Sequence, residues 1–291
     1  MTQIISNFAE ISNRYDAAFV DLWGCMHNGV AAFPEAIAAM QDFRARGGRV
    51  VFVTNAPRGR DPVERHLAKL GIPDDAWDTI ATSGDSARAA MFRGAVGQKV
   101  YFIGQDHDQN FFDPLKIETD PVEISRVLLE EADGIVCCGP EDPFADPAEY
   151  RPQFLYAKQK GLKLLCANPD IVVDRGERRE WCAGALARLY TEMGGESLYF
   201  GKPHPPIYDL ARRRLFALPG AHRDPRIICI GDGLITDVQG AMGEDLDCLF
   251  ISGGLAAEET GTINGTPNSA KLSKVLQDAQ MSPLYAIGHL R

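Results

Sequence analysis

The residues in this sequence whose types and spacing fit them for chemistry all stand where short apolar runs end. Asp21 follows AAFV, Thr54 and Asn55 follow RVVFV, Lys202 follows ESLYFG, and Asp232 and Asp237 follow RIICIG. Taken one at a time they say little. An aspartate after a strand is usually a cap or turn residue, and a lysine beside a proline is usually solvated. Taken together, Asp, Thr, Lys and an Asp pair in that order are the parts needed to handle a phosphate group with a metal ion. The anionic oxygens of a phosphate ester repel a nucleophile, and a divalent cation held by carboxylates cancels that repulsion. Asp21 and Asp232 are the candidate ligands, with Asp237 fixing the shell around them. Magnesium suits such a site, because it prefers hard oxygen ligands and keeps several of its waters. One oxygen of Asp21 then remains to attack phosphorus and form an aspartyl-phosphate. Thr54 and the adjacent backbone amides, with Asn55 beside them, would hold the phosphoryl oxygens, and Lys202 would neutralise the charge that develops there.

Strand ends can gather such residues only if the strands lie side by side. AAFVD (17–21) reads as a buried strand, and Pro34 opens a helical pattern with Ile37, Met40 and Phe43 inward, stopped by Gly47-Gly48. RVVFV is the next strand, followed by a helix with Asp61 as N-cap, Pro62 at its first position, Glu64 three residues after the cap and Gly71 as terminator. The alternation continues to about residue 80, which indicates a parallel sheet with helices on its faces. The same rhythm returns in ESLYF, RIICI and DCLFI, separated by helices from near Pro205 and Asp237, so both halves are compatible with one sheet. An open parallel sheet binds ligands at the carboxyl ends of its strands, where all of these residues fall. Between the halves, KVYFIG, GIVCCG, a helix capped by Asp146-Pro147, LKLLCAN and a helix from Trp181 to Tyr190 ending at Gly194-Gly195 form βα units of their own. The expected organisation is therefore a core of residues 1–84 and 185–291 with an inserted α/β domain of residues 85–184. A Gly- and Thr-rich loop from Gly253 to Asn268 precedes a last short helix.

Composition narrows the partners. The 291 residues carry 30 Lys plus Arg against 40 Asp plus Glu, a formal net charge of −10, and no basic stripe, which argues against nucleic-acid binding. The start lacks an apolar stretch behind a basic flank, and no run reaches the about 18 apolar residues of a membrane span, so a soluble cytoplasmic protein with no membrane association is expected. Seven cysteines, at 25, 137, 138, 166, 182, 229 and 248, sit mostly in apolar runs and read as reduced, buried and structural.

The pieces DLWGCMHNG, VTNAPR, GKPHPPIYDLA and GDGLITDVQGA resemble, in that order, the four motifs of the haloacid-dehalogenase superfamily. ATSGDSARAA, CANPDIVV, WCAGALARLYTEMGG and ISGGL are similar to its class IIA branch, which includes pyridoxal, phosphoglycolate, nitrophenyl and sugar phosphate phosphatases. The resemblance implies a Rossmann-like doubly wound core with a cap domain between the second and third motifs that selects a small phosphorylated substrate. It makes the backbone carbonyl of Trp23 the third protein ligand of a magnesium ion, beside Asp21 and Asp232. Asn168 and Asp170, flanking Pro169 at a strand end in the insert, are substrate-binding candidates, although Asn-Pro-Asp is equally a turn. The sequence departs from the phosphatase pattern at Trp23, where the family carries a second aspartate that protonates the leaving oxygen and then activates water. An indole N–H donates hydrogen bonds but does not give up its proton at physiological pH. His27 is the nearest titratable substitute, with a polar loop residue as its plainer reading, and Gly233 replaces the larger polar residue more common after the metal aspartate. Three functions remain open: a phosphatase of small organic phosphate monoesters with weakened acid–base catalysis, a dehalogenase-like hydrolase whose leaving group needs no proton, and a non-catalytic phosphate- and metal-binding protein. A homo-oligomer is compatible with each.

Overall fold

A computed structural model describes residues 2–113, 121–175, 178–220 and 222–291. The chain divides into two compact units, one of residues 1–54, 64–81 and 202–291, the other of residues 55–63 and 82–201. The first unit is built on a seven-stranded sheet in the order Gln3–Ile4, Tyr285–Ile287, Asp247–Ile251, Ile227–Gly231, Ala17–Val20, Arg49–Thr54, Thr79–Thr82. Neighbouring strands from Gln3–Ile4 through Arg49–Thr54 run parallel. After the edge strand Gln3–Ile4 the chain enters the middle of this sheet at Ala17–Val20, proceeds to the opposite edge at Thr79–Thr82, and later resumes on the other side at Ile227–Gly231. The sheet therefore changes direction between these two strands, and such a switch point is where parallel sheets open a crevice at their carboxyl ends.

Alternation along the strands sends successive side chains to opposite faces. Ala17, Phe19, Val51, Val53, Cys229 and Phe250 pack with Ile207, Tyr208, Ala211 and Leu215 of the helix Pro205–Phe216 and with Leu272 and Leu276 of the helix Ser269–Asp278. Ala18, Val20, Val50 and Phe52 are buried on the other face, and the helix Pro34–Ala45 buries Ala36, Met40 and Phe43. The core is thus doubly wound, as the alternating pattern implies.

The second unit has its own five-stranded parallel sheet, ordered Glu196–Tyr199, Lys163–Cys166, Gly134–Cys137, Lys99–Ile103, Ser125–Arg126. One face packs against the helices Arg151–Gln159 and Ala183–Glu192, the other against the helix Ser83–Phe92. Val172–Arg175 pairs antiparallel with Arg178–Trp181. Among the described residues no helix is long and apolar enough to cross a membrane.

Several local expectations are corrected. ESLYF does not join the core sheet: Glu196–Tyr199 pairs in register with Lys163–Cys166, and Leu198 packs on the second unit's core. The expected edge at 184/185 accordingly falls inside the helix Ala183–Glu192, whose Leu186, Leu189 and Tyr190 are buried in that unit. The expected start at 85 cuts the helix Ser83–Phe92, and residues 55–63 also group with the second unit. The helix read as capped by Asp61 begins at Arg60, and Trp181 ends a strand instead of starting a helix.

Entry into the edge strand Thr79–Thr82 is fixed by Asp78. Its carboxylate accepts from Arg44 Nη2 at 2.9 Å, Arg49 Nη1 at 3.0 Å and the Val50 N–H at 2.8 Å. Burial alone would raise the Asp78 carboxyl, but Arg44, the Val50 N–H and Arg49 together hold it below its ordinary value. A carboxyl lowered in the folded state stabilises the protein above the unfolded carboxylate pKa and loses that contribution as pH falls through the folded value. Asp78→Ala should lower unfolding stability by about 1–3 kcal/mol at neutral pH, measured by urea denaturation. The difference from wild type should shrink in acid, and an undiminished gap there would show that the loss is not that of an ionised carboxylate.

Candidate active site

The register of the central strands brings three of the expected residues to one edge. Val20 pairs with Ile230 on one side and Phe52 on the other, so Asp21, Asp232 and Thr54 leave the sheet within two residues of that row. The Asp21 N–H donates to the Ile230 carbonyl at 2.8 Å and continues the ladder for one more residue. Lys202 arrives from the segment before the helix Pro205–Phe216, and its Nζ lies 2.6 Å from Asp21 Oδ1 and 2.7 Å from Asp237 Oδ1. All four charged groups are buried, with 9% of Asp21, 4% of Lys202, 3% of Asp232 and 5% of Asp237 exposed. Three carboxylates therefore face one ammonium where water screens poorly.

Titration follows from that imbalance. Burial would lower the Lys202 ammonium, but Asp21 and Asp237 raise it further, so it is a fixed cation. Asp21 is pushed well above the usual carboxylate range by burial, with Asp237 and Asp232 adding to the push and Lys202 opposing it. Asp232 is pushed up to about 7, by burial first and Asp237 second, against the Leu255 N–H and Lys202. Carboxylates this reluctant to ionise together are suited to a divalent cation, which would replace the protons they otherwise hold.

Local backbone explains how the carboxylates come so close. Asp237 lies in a π-helical turn, Leu234–Val238, and its Oδ2 accepts from the Gly233 N–H at 3.0 Å and the Thr236 hydroxyl at 3.2 Å. With its other oxygen on Lys202, Asp237 acts in the site through the lysine, and it is not in the metal-spaced group. That group, among the described residues, is Asp21, Cys25 and Asp232, whose ligand atoms all lie within 4.8 Å of one another. Asp232 Oδ2 accepts from the Leu255 N–H at 3.0 Å and is walled by Gly24 and Gly254. A Cβ built at either glycine would stand 2.0 Å from that oxygen. Cys25 is the member that the sequence did not single out. Its signal was its place four residues after Asp21 in the glycine turn.

Trp23 and His27 belong to one compact loop. The Gly24 N–H donates to the His27 carbonyl at 2.9 Å, and the Trp23 and His27 rings meet edge to face at 5.6 Å. Gly29 has φ +85°, and a Cβ there would fall 2.3 Å from the Trp23 ring. The Gly29 N–H donates to His27 Nδ1 at 3.0 Å, which leaves the ring proton of neutral His27 on Nε2. Burial, with His66 next to it, pushes His27 down to about 4, so it is neutral at physiological pH. Asn55, Asn168 and Asp170 come together within the second unit. Asn55 Nδ2 donates to Asp170 Oδ1 at 2.8 Å, and the Asp170 N–H donates to Asn168 Oδ1 at 3.0 Å. Asn-Pro-Asp is thus an Asx turn, and its aspartate is bonded to the asparagine that follows Thr54 in sequence.

Comparison with known proteins identifies the family. Residues 18–118 match the pattern of a family described as haloacid dehalogenase-like hydrolase, and residues 199–277 match a second, HAD-hydrolase-like pattern. A solved hydrolase of the haloacid dehalogenase-like family from Brucella suis 1330 is 38% identical, covers 99% of this chain and 100% of its own, and superposes with a TM-score of 0.83. The chain belongs to the haloacid dehalogenase-like hydrolases. This hydrolase is also 26% identical over 249 residues to the D-glycerol 3-phosphate phosphatase of Mycobacterium tuberculosis. That match takes in 84% of the chain and 65% of the relative, so the hydrolase spans less than two thirds of the relative's length. A glycerol phosphate phosphatase of that organism solved in complex with magnesium shares the fold, at 24% identity, 84% and 70% coverage and a TM-score of 0.63. The 4-nitrophenylphosphatase of Thermotoga maritima does so at 19% identity, 95% coverage of each chain and a TM-score of 0.69.

If the walls of Asp232 set its position in this hydrolase, Gly254→Ala should displace the carboxylate. Divalent-cation affinity measured by calorimetry should then fall by about 10- to 100-fold, the range for disturbing a ligand's supports. An unchanged affinity would remove Asp232 from the ligand set.

Proposed function

We propose that this hydrolase is a cytoplasmic, magnesium-dependent phosphatase of small organic phosphate monoesters. The observation that carries the proposal is the buried Asp21 carboxylate, with one oxygen held by Lys202 at 2.6 Å and Asp232 within metal-sharing distance. The relatives whose names specify a substrate act on glycerol phosphate and nitrophenyl phosphate, which supports the same class. Asp21, Asp232 and the Trp23 carbonyl would hold magnesium, and the buried surplus of carboxylates fits a divalent cation. Once bound, the ion neutralises charge on the phosphoryl oxygens and orients the group.

The chain's own residues then divide the work. The free oxygen of Asp21 attacks phosphorus, the P–O bond to the organic group breaks, and the leaving oxygen departs with the electron pair. Lys202, held between Asp21 and Asp237, stays protonated and balances the charge on the transferring group. Thr54 donates to the phosphoryl oxygens from the end of the adjacent strand. A water then attacks phosphorus, Asp21 is released, and inorganic phosphate forms. Trp23 supplies no proton to the leaving oxygen, and His27, neutral with Nδ1 accepting from Gly29, does not replace the missing acid. Substrate selection is assigned to the second unit, with Asn55, Asn168 and Asp170 as candidate contacts.

Hydrolysis of an aryl phosphate should need a divalent cation and disappear in Asp21→Asn, because an amide is a poor nucleophile and a weaker ligand. Lys202→Ala should cost on the order of 10²-fold or more in kcat. Full activity in either variant, or in chelator-stripped protein, would refute the assigned roles.

Without an acid the leaving group must depart as an anion, so rates should fall steeply from aryl to alkyl phosphates. Trp23→Asp should flatten that dependence and raise alkyl ester turnover by up to about 10²–10⁴-fold, the typical worth of general acid–base catalysis. A shallow dependence in the wild type would mean that another acid serves the site. A metal-binding protein that cleaves no ester in either form would be a binding protein instead.

A further inference from the structure

The metal-spaced group contains a thiol where the phosphatase chemistry calls only for oxygens. Cys25 is 1% exposed, and its Sγ and the carboxylate oxygens of Asp21 and Asp232 all lie within 4.8 Å of one another. Its direction is set by backbone. Gly24, at φ +75°, turns the chain between Asp21 and Cys25, and the Met26 N–H closes the turn on the Leu22 carbonyl at 2.8 Å. Asp232 is held against the same turn by the Leu255 N–H and by the walls of Gly24 and Gly254. The three donors thus come from two separate segments, each positioned by its own backbone.

We propose that Cys25 turns the Asp21–Asp232 pair into a mixed carboxylate–thiolate site that takes a thiophilic divalent cation, zinc or cadmium, in competition with magnesium. Magnesium accepts hard oxygen ligands and gains nothing from sulfur. Zinc and cadmium bind thiolate strongly, and two carboxylates plus one thiolate leave a fourth tetrahedral position for water or a phosphoryl oxygen. The surplus of carboxylates over Lys202 suits any divalent cation equally, so the sulfur decides between them. A thiol becomes a ligand by releasing its proton to solvent as the cation enters. A bound soft cation would also tie up the Asp21 oxygens, so the site would be inhibited by the metals it holds best. The inference rests on the metal-site reading of Asp21 and Asp232 and does not require phosphatase turnover.

The test is an ultraviolet titration of the full-length, chelator-stripped protein with cadmium chloride under reducing conditions. The expected result is a thiolate-to-cadmium charge-transfer band that saturates at one equivalent and recedes as magnesium is added in excess. It should be lost in Cys25→Ser and also in Asp232→Asn. Cys25→Val, which keeps the volume without a ligand atom, serves if the serine variant fails to fold by circular dichroism. Absence of the band in wild type, its persistence in the cysteine variants, or its indifference to Asp232→Asn would each overturn the mixed site. Loss of ester hydrolysis with the band intact would count against the phosphatase reading alone.

Discussion

The site depends on one buried ammonium. Lys202 bridges Asp21 and Asp237 at 2.6 and 2.7 Å, and it is the cation that lets two carboxylates coexist there. Burying a charge is tolerable only when it is paired and hydrogen-bonded, and each partner of Lys202 is held by more than the lysine. Asp21 extends the central strand ladder, and Asp237 is fixed by a π-helical turn through Gly233 and Thr236. The lysine is therefore clamped between two elements of the doubly wound sheet. Its grip occupies Oδ1 of Asp21, so the two oxygens of that one side chain stand in different settings.

Asp232 lacks such a cation, and its surroundings show what replaces one. Small residues let the backbone close around its Oδ2, and the Leu255 N–H donates to that oxygen at 3.0 Å. The loop bearing that donor is anchored by two hydroxyls: buried Thr260 donates to the Ser252 carbonyl at 3.0 Å, and half-buried Thr262 to the Ser252 hydroxyl at 2.9 Å. What reads in the sequence as a Gly- and Thr-rich connection is a brace that ties the loop holding the Asp232 carboxylate back to the strand Tyr285–Ile287 through Ser252.

The legible part of this protein was the part encoded locally. Asp21, Thr54 and Asp232 each follow an apolar run, so their places at strand ends could be read one run at a time. ESLYF is as strand-like as RIICI, yet its partner is Lys163–Cys166, because sheet membership is decided by the tertiary pairing of surfaces that period alone does not distinguish. Lys202 was placed at the site although its preceding strand was put in the wrong sheet, since the residue's role depends on the turn after that strand. Cys25 stayed hidden among seven cysteines of apolar setting; only the glycine turn and the wall of Asp232 give its sulfur a direction. The tautomer of His27 depends on Nδ1 accepting from Gly29, a bond between residues two apart whose geometry no composition reveals.

The order of strands has a consequence for how the chain is made. The second unit has its last strand, Glu196–Tyr199, long before the chain ends, while the core sheet still lacks Ile227–Gly231, Asp247–Ile251 and Tyr285–Ile287. During synthesis Ala17–Val20 therefore waits, with one edge unpaired, for a neighbour about two hundred residues downstream, and unpaired edges invite misassociation. The inserted unit can fold as a nearly continuous stretch in that interval. Asp21 is among the first site residues to leave the ribosome, and it meets Lys202 and Asp237 only when the last third of the chain arrives. The cluster of Asp21, Lys202 and Asp237 is thus completed late, while Ala17–Val20 still has an open edge.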